Sequence, residues 1–505
     1  MNKLYFNDIV KGKFGRKIAY TDYETVTKDN IVDIVASCIG TFNYNKTVIE
    51  YLWDYVHGDQ PVLYRTKKVR DDILNKVCEN HAWEIVRFKN QQTYGEPLQY
   101  VSRTNDEEKS RYVETLINYM IDANKHARDI ESGEWQSAVG TSFKAVQINP
   151  KSDVPFRIVV LSPLNTFVIY NRGTKEPLVS VQECRTTKGE RFLMCYTETN
   201  ECKIVDSHVY EWKLHGFGGN PIVEYPNNPE RISDIELVIS MLDAINDMDS
   251  NRIDSIGQFV QSWIKFVNCQ IDEETFEKMK LMGALVVKSN NADNKADVDI
   301  MSQELNQTQT QVAKDDLLNN IYSILAIPNK EGNTGGDTQG AVELRNGWDF
   351  SKGAAKLKDP IVIESERRLF RCILNIIRIY KGDCPLTTRD FDIRIHHSPL
   401  DNMLVKAQFL DYLLKDGVHP KIAFERSTLF PDSEKAFIMS KPYLDVIYKE
   451  SDSDVEDLQK RANLFTSLMN AGSDADVAAK ISGIDKEIAD GKNIAKWNYE
   501  ETEDN

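Results

Sequence analysis

One stretch constrains the chain more than any other: "PIVEYPNNPERISDIELVISMLDAINDMDSNRIDSI", Pro221 to Ile256. Its start, "PIVEY", reads as the end of a strand. "SDIE" then has the form of a capping box, in which the Ser233 hydroxyl accepts from the third amide and Glu236 reaches back. Ile232 and Leu237 are spaced for the accompanying hydrophobic staple. Beyond the cap, Ile235, Val238, Ile239, Leu242, Ile245, Ile253 and Ile256 recur at helical spacing, while Asp243, Asp247, Asn251 and Asp254 run along another face. The pattern predicts one long helix over 233–262. Its acidic stripe reads as a solvated face, the usual state of charges on helices.

The flanking texture changes sharply. Residues 1–130 are helical in pattern: Val48, Ile49, Leu52, Trp53 and Val56 share a face that breaks at Gly58 and Pro61, and Val113, Leu116, Ile117, Met120 and Ile121 repeat it. From Trp135 the chain turns β-branched and aromatic, interrupted at "NRG", "TKG" and "ETNE", which predicts an antiparallel meander. After the long helix, "WIKFVNCQI", "DEETFEKMKLMG" and "ALVVKS" read as strand, helix and strand. "NNADNKAD" reads as an exposed polar loop, and "QTQTQVAKDDLLNNIYSILAIP" as a second helix ending near Pro328. A β-α-β insert therefore sits at the end of a helical hairpin. A glycine-rich stretch at 331–340 leads to a long helical segment, about 341–380. Gly347, Gly353 and Pro360 predict a kink in it. "FDIRIHHSPL" is a strand, residues 399–500 are mostly short helices, and the tail is acidic. The fold class is α+β, mainly helical.

Several chemistries are excluded or weakened by missing parts. Gly335 and Gly340 have P-loop spacing, but Ala341 and Val342 stand where lysine and a hydroxyl are required, and a helix precedes them. No nucleotide hydrolysis is expected. Asp247, Asp249 and Asn251 begin like a calcium loop, but Arg252 replaces its glycine and Gln258 its bidentate glutamate. "HGFGG" at 215–219 lacks a nucleophile elbow and reads as a turn-rich loop. His396 and His397, adjacent on a strand, point to opposite faces. No catalytic residue, metal site or cofactor is expected. Eight cysteines without a C-x-x-C pair read as free thiols of a reducing compartment. No apolar run approaches the ~20 residues of a membrane span, and the N-terminus does not read as a signal peptide. A net charge of -16 argues against a surface that grips nucleic acid, though not against one past which it slides.

The order of these segments resembles the portal proteins of tailed double-stranded DNA phages, in the type found in siphophages of Gram-positive hosts. The resemblance is carried by Pro221, Ile222, Tyr225, Asn227 and Asn228, then "SDIE", then Asp243, Ile245, Asn246 and Ser250. "LSPLNTFVIYN", "NIYSILAIPN" followed by a glycine-rich loop and "GAVEL", and "HHSPLDN" agree with it. It covers residues 135–430 well. It implies a ring subunit with a wing at 1–232, a stem helix at 233–262, a clip at 263–301, a second stem helix at 302–330 and a tunnel loop at 331–340. A kinked helix and wing return strand would follow at 341–397, and a helical crown with an acidic tail at 398–505. It further implies a homododecamer at one capsid vertex of the virion, assembled in the host cytoplasm and used for DNA packaging and ejection. The implied partners are terminase, a head-completion adaptor, scaffold and major capsid protein, and double-stranded DNA, with no membrane. By the same resemblance Asn333, Thr334, Asp337, Thr338 and Gln339 would meet the DNA, Asp243, Asp247, Asn251 and Asp254 would face the channel, and Asn290, Asn291, Asp293, Asn294 and Lys295 would meet partners. Two other readings stand beside it: a hydrolase using the stem carboxylates, and a structural ring of the phage head or tail that is not a portal.

Overall fold

The computed structural model describes residues 5–66, 73–103, 106–260, 263–267, 297–301, 307–328, 347–397 apart from 383, most of 403–444, and a few helical residues between 460 and 481. The chain is α+β and forms two compact units, Met1–Leu400 and Asp401–Asn505. The larger begins with helices α1 (Phe6–Val10), α2 (Ile31–Val56), α3 (His81–Tyr94), α4 (Glu107–Asp122) and α5 (Lys125–Val139). α4 is capped by Asp106, whose carboxylate accepts from the Glu108 and Lys109 amides. The apolar face that begins at Val113 belongs to α4 alone. Asn124 turns left-handed at φ 51°, and α5 starts afresh. Ile121, expected on the apolar face, is 68% exposed because the break ends the face at Met120.

The predicted meander is present but divided. Strands β3 (Thr141–Ile148) and β4 (Phe156–Leu161) pair with β10 (Ile222–Pro226), while β5 (Thr166–Asn171) to β9 (His208–Leu214) form the antiparallel run of a six-stranded sheet. That sheet starts with β1 (Ala19–Thr21), parallel to β5. β5 is buried along its whole length, which explains why "TFVIYN" shows no apolar–polar alternation. A short strand β2 (Gln99–Ser102) pairs with β13 (Phe391–Arg394), the return strand expected from "FDIRI".

The long helix α6 spans Ile239–Val260 and α7 Gln307–Ile324. Between them β11 (Trp263–Val267) pairs antiparallel with β12 (Asp297–Met301), at the two ends of the predicted insert. β12 was not foreseen, since "DVDIM" follows a polar run; the expected helix and "ALVVKS" strand lie outside the described residues. The segment predicted as one kinked helix is two: α8 (Trp348–Lys356) and α9 (Asp359–Lys381). The break falls at Leu357 and Lys358. Pro360 sits in the first turn of α9, where its fixed φ is favourable and its missing N–H costs nothing. Gly382, at φ 85°, ends α9.

Among the described residues of this unit there are four apolar cores, the smallest between β3, β4, β5 and β10. One joins α4, α9, β3, β4 and β10, with Leu369, Phe370, Ile373 and Ile376 fully buried. Another joins α1, α2, α3, α6 and α7. The third seats α2 on the six-stranded sheet. In the smaller unit, α10 (Met403–Lys415) and α11 (Pro420–Ser427) pack around Leu410, Ala423 and Phe424. Among the described residues no helix is long and apolar enough to cross a membrane.

Candidate functional site

The turn that leads into α6 is built on the end of α5. The last carbonyls of a helix lack partners inside it. Here the Ser233 hydroxyl reaches those of Ser137 at 2.9 Å and Ala138 at 2.8 Å. Half of the expected capping box forms: the Glu236 carboxylate accepts from the Ser233 amide at 2.5 Å. The other half does not, because the hydroxyl, committed to α5, accepts from Ile235 instead of the third amide. The helix starts at Ile239 and not at the cap. Leu237 is 49% exposed, so the staple is absent. The other Glu236 oxygen takes the Gly15 amide at 3.1 Å and the Arg16 guanidinium, tying the N-terminal segment to the same turn.

Above this turn, the polar face of α6 binds a piece of its own chain. Residues 74–80 belong to no helix or sheet, so their amides need partners. Asp254 accepts from the Asn75 amide at 2.7 Å, the Ser250 hydroxyl from the Val77 amide at 3.0 Å, and the Asn246 side chain from the Glu79 amide at 2.8 Å. The match is geometric. Two residues of extended chain advance about 6.6 Å, and four residues of helix about 6 Å, so every second amide meets every fourth side chain. Tyr55 donates to Asp243 at 3.0 Å, Asn246 to Gln60, and Arg65 to Asn251 at 2.6 Å and Asp254 at 3.2 Å. The Tyr5 hydroxyl reaches Asp247 at 3.4 Å. On the other side Lys314 of α7 bridges Asp249 and Glu79, and Arg252 donates to Gln311.

The expectation of a solvated stripe is therefore corrected. Asp243 is 8% and Asp254 2% exposed. In this chain the two carboxylates are buried and satisfy residues 55–75. Asp247 and Asn251 are more open. Sequence periodicity displayed the stripe but carried no sign of the distant segment that covers it.

Burial leaves Asp243 hard to ionise and lifts its pKa to about 7, against the lowering effect of the Tyr55 hydrogen bond. A carboxyl with a raised folded pKa contributes stability that is whole below its unfolded value, near 3.9, and is lost as pH rises through about 7. Asp243→Asn keeps an acceptor for Tyr55 and removes the ionisation. Between pH 5 and 8 this variant is expected to lose about 1–2 kcal/mol less stability than the parent. Superimposable pH profiles of denaturant midpoints would contradict the assignment.

A second constellation escaped sequence reading altogether. Lys125 and Asp129 of α5, Lys144 of β3 and Glu366 of α9 meet in the core, none more than 3% exposed at the side chain. Lys125 contacts Asp129 at 2.7 Å and Glu366 at 3.0 Å; Lys144 contacts Glu366 at 3.1 Å and the Asp129 carboxylate. Tyr225 donates to Glu366 at 3.0 Å. The lone lysine inside "TSFKAVQI" was the available signal; Glu366, within "ESERR", offered none. Two charges of each sign, sealed from solvent, make a clamp between three elements, not a reactive site.

The remaining candidates separate. His396 meets Gln99, while His397 meets Asp359 at 2.8 Å and the Gln92 carbonyl, so the adjacent pair diverges. His215 closes the "HGFGG" turn onto Thr197, and Asn375 donates to the Gly216 carbonyl. Cys195 and Cys202 are free and face each other across β7 (Arg191–Tyr196) and β8 (Asn200–Val205). Among the described residues no group of three His, Cys, Asp or Glu is placed to hold a metal ion. Asn333, Thr334, Asp337, Thr338 and Gln339, with Asn290, Asn291, Asp293, Asn294 and Lys295, lie outside the described residues.

In comparison with known families, residues 36–435 fit the family described as "Phage portal protein, SPP1 Gp6-like". No individual curated protein matches the chain. The match takes in the meander, the α6–α7 pair and its insert, both histidines and the start of the smaller unit.

Proposed function

Because the chain belongs to the SPP1 Gp6-like phage portal proteins, we propose that it forms a dodecameric ring at one capsid vertex. In this reading the ring conducts DNA during packaging and ejection, and it docks terminase and a head-completion adaptor. The observation that carries the proposal is the α6–β11–β12–α7 excursion, a helical pair whose far end is tied by two short strands. It fits a stem at 233–262 and 302–330 with a clip at 263–301, between a wing at 1–232 and 341–397 and a crown from 398. The apolar stripe of α6 supports a ring. Its lower part is buried in this chain, but Ile253 and Ile256, with Val312 and Ile324 of α7, stay exposed. Exposed apolar groups on one face mark contact surfaces, and neighbouring copies would cover them.

Asp247 and Asn251 remain the stem residues open to a lumen. The loop with Asn333, Thr334, Asp337, Thr338 and Gln339 is assigned to the DNA path on sequence order alone, and Asn290, Asn291, Asp293, Asn294 and Lys295 to the clip surface. A hydrolase built on the stem carboxylates fits less well, since Asp243 and Asp254 are spent on this chain's own groups. Class averages of the purified protein are expected to show rings with an axial opening. In a packaging reaction, rings of Asp337→Lys are expected to translocate DNA more slowly at low salt and to recover at higher salt, because added phosphate contacts are salt-sensitive. Particles that stay monomeric at high concentration would remove the ring; unchanged kinetics would remove only the loop.

A further inference from the structure

Where α3, the turn before α6 and the α8–α9 joint meet, they line a cavity of about 250 Å³ that is open to solvent on one side. Lys89, Thr93, Asn228, Asp234, Lys358 and Ile361 are among its lining residues. The charges there do not balance. Asp234 is the cavity's one acidic lining residue, and it already accepts from Ser137 at 2.6 Å and from Asn227 at 3.0 Å. Lys89 donates one proton to the Leu325 carbonyl at the end of α7. Lys358 makes no salt bridge among the described residues and lies 5.9 Å from the Tyr94 ring. Asp359, beside it, gives both oxygens to His397 at 2.8 and 2.9 Å. The cavity also opens at the start of α9, the positive end of a 23-residue helix.

We propose that this cavity binds a small oxyanion of the phosphate class, held between Lys358 and Lys89. The cavity far exceeds the ~30 Å³ share of one water, and its polar lining suits a group with several acceptor oxygens. The state of Lys358 agrees. Burial brings its pKa down to about 8, with Asp234 and Asp359 raising it and Lys89 lowering it. A dianion would supply the missing counter-charge. It would also join α3, the α9 start and, through Lys89, the end of α7.

Inorganic phosphate is the probe. Full-length protein in phosphate-free buffer at pH 7.5 is titrated with phosphate at constant ionic strength, with sodium chloride as control, and read by calorimetry and thermal unfolding. Saturable binding and a rise in Tm absent from the chloride series are expected. Lys358→Met and Lys89→Met should each weaken binding about tenfold, the loss of one charge-assisted hydrogen bond. Lys358→Arg should bind within about threefold of the parent. Between pH 7.5 and 9.5 the parent is expected to lose affinity as Lys358 gives up its proton. Lys358→Arg should lose clearly less, because arginine stays charged. The other groups facing Lys358 are Lys89, Asp234, Asp359 and Tyr94; burial lowers the pKa of Lys89 as well, so the contribution of Lys358 is the difference between the parent's profile and that of Lys358→Arg. Absence of saturable binding in the parent, or binding unchanged in a folded Lys358→Met, overturns the proposal. If Lys358→Met does not fold, the pH profile of Lys358→Arg decides, and a profile that falls like the parent's overturns it. The result is independent of ring formation.

Discussion

Glu366→Ala is expected to cost about 3–5 kcal/mol, the penalty for leaving buried charge without its partner. Lys125 and Lys144 would then share Asp129 alone in a site that water does not reach. The cost comes less from the lost contact than from the second ammonium, which has to give up its proton or draw water into the core. Removing one charge of each sign, as in Lys144→Met with Glu366→Ala, should therefore be more stable than Glu366→Ala alone, by about 1–3 kcal/mol of coupling. Denaturant unfolding of both single variants and the double measures this, and strictly additive costs would show the four groups to be independent. The same cluster sets an acid limit. Burial by itself would raise the Glu366 pKa, but Lys125 and Lys144 outweigh it and hold the carboxyl far below its usual range. Stability from a depressed carboxyl is present above its unfolded pKa, near 4.3, and drains away as pH falls toward the folded value. The parent should accordingly lose more stability below pH 4 than the double variant does.

Gly140→Ala is expected to be as severe, at more than about 3 kcal/mol, through the backbone alone. Gly140 ends α5 at φ 88°, and a Cβ there would lie 2.0 Å from the Arg231 carbonyl oxygen and 2.7 Å from its carbon. Neither atom can yield easily. The Arg231–Ser233 chain is pinned by the Ser233 bonds to α5, by Arg231 to Glu224 at 2.9 Å, and by Asn227 to the Gly140 carbonyl at 2.9 Å. Gly189 provides the comparison. It has nearly the same φ, 86°, with nothing within 4 Å of its virtual Cβ, so Gly189→Ala should cost only the left-handed conformation, about 1 kcal/mol. Equal costs for the two variants would mean that the turn before α6 does not press on α5. Since that turn launches α6, a loosened joint should also reduce ring assembly in whatever folds.

Much of this molecule was legible from residue order because much of it is local. Spacings of three and four residues marked α2, α4, α6, α7 and α9, alternation and turn residues marked the strands from β4 (Phe156–Leu161) onward, and Pro360 marked a discontinuity. The order of these segments also carried the family, which rests on how elements follow one another along 36–435. What the order of residues left undecided was the partner of each polar group. Asp254 has the same helical address whether it meets solvent or the Asn75 amide, 179 residues away. Lys144 and Glu366 look like ordinary surface charges until two elements 222 residues apart close on them. Periodicity is set by neighbours within a turn or a pleat, so the sequence alone determined most of the long elements and their succession, though not β12 or the break at Asn124. The burial of a charge depends on what packs over it from elsewhere in the chain, and there only the tertiary structure decided.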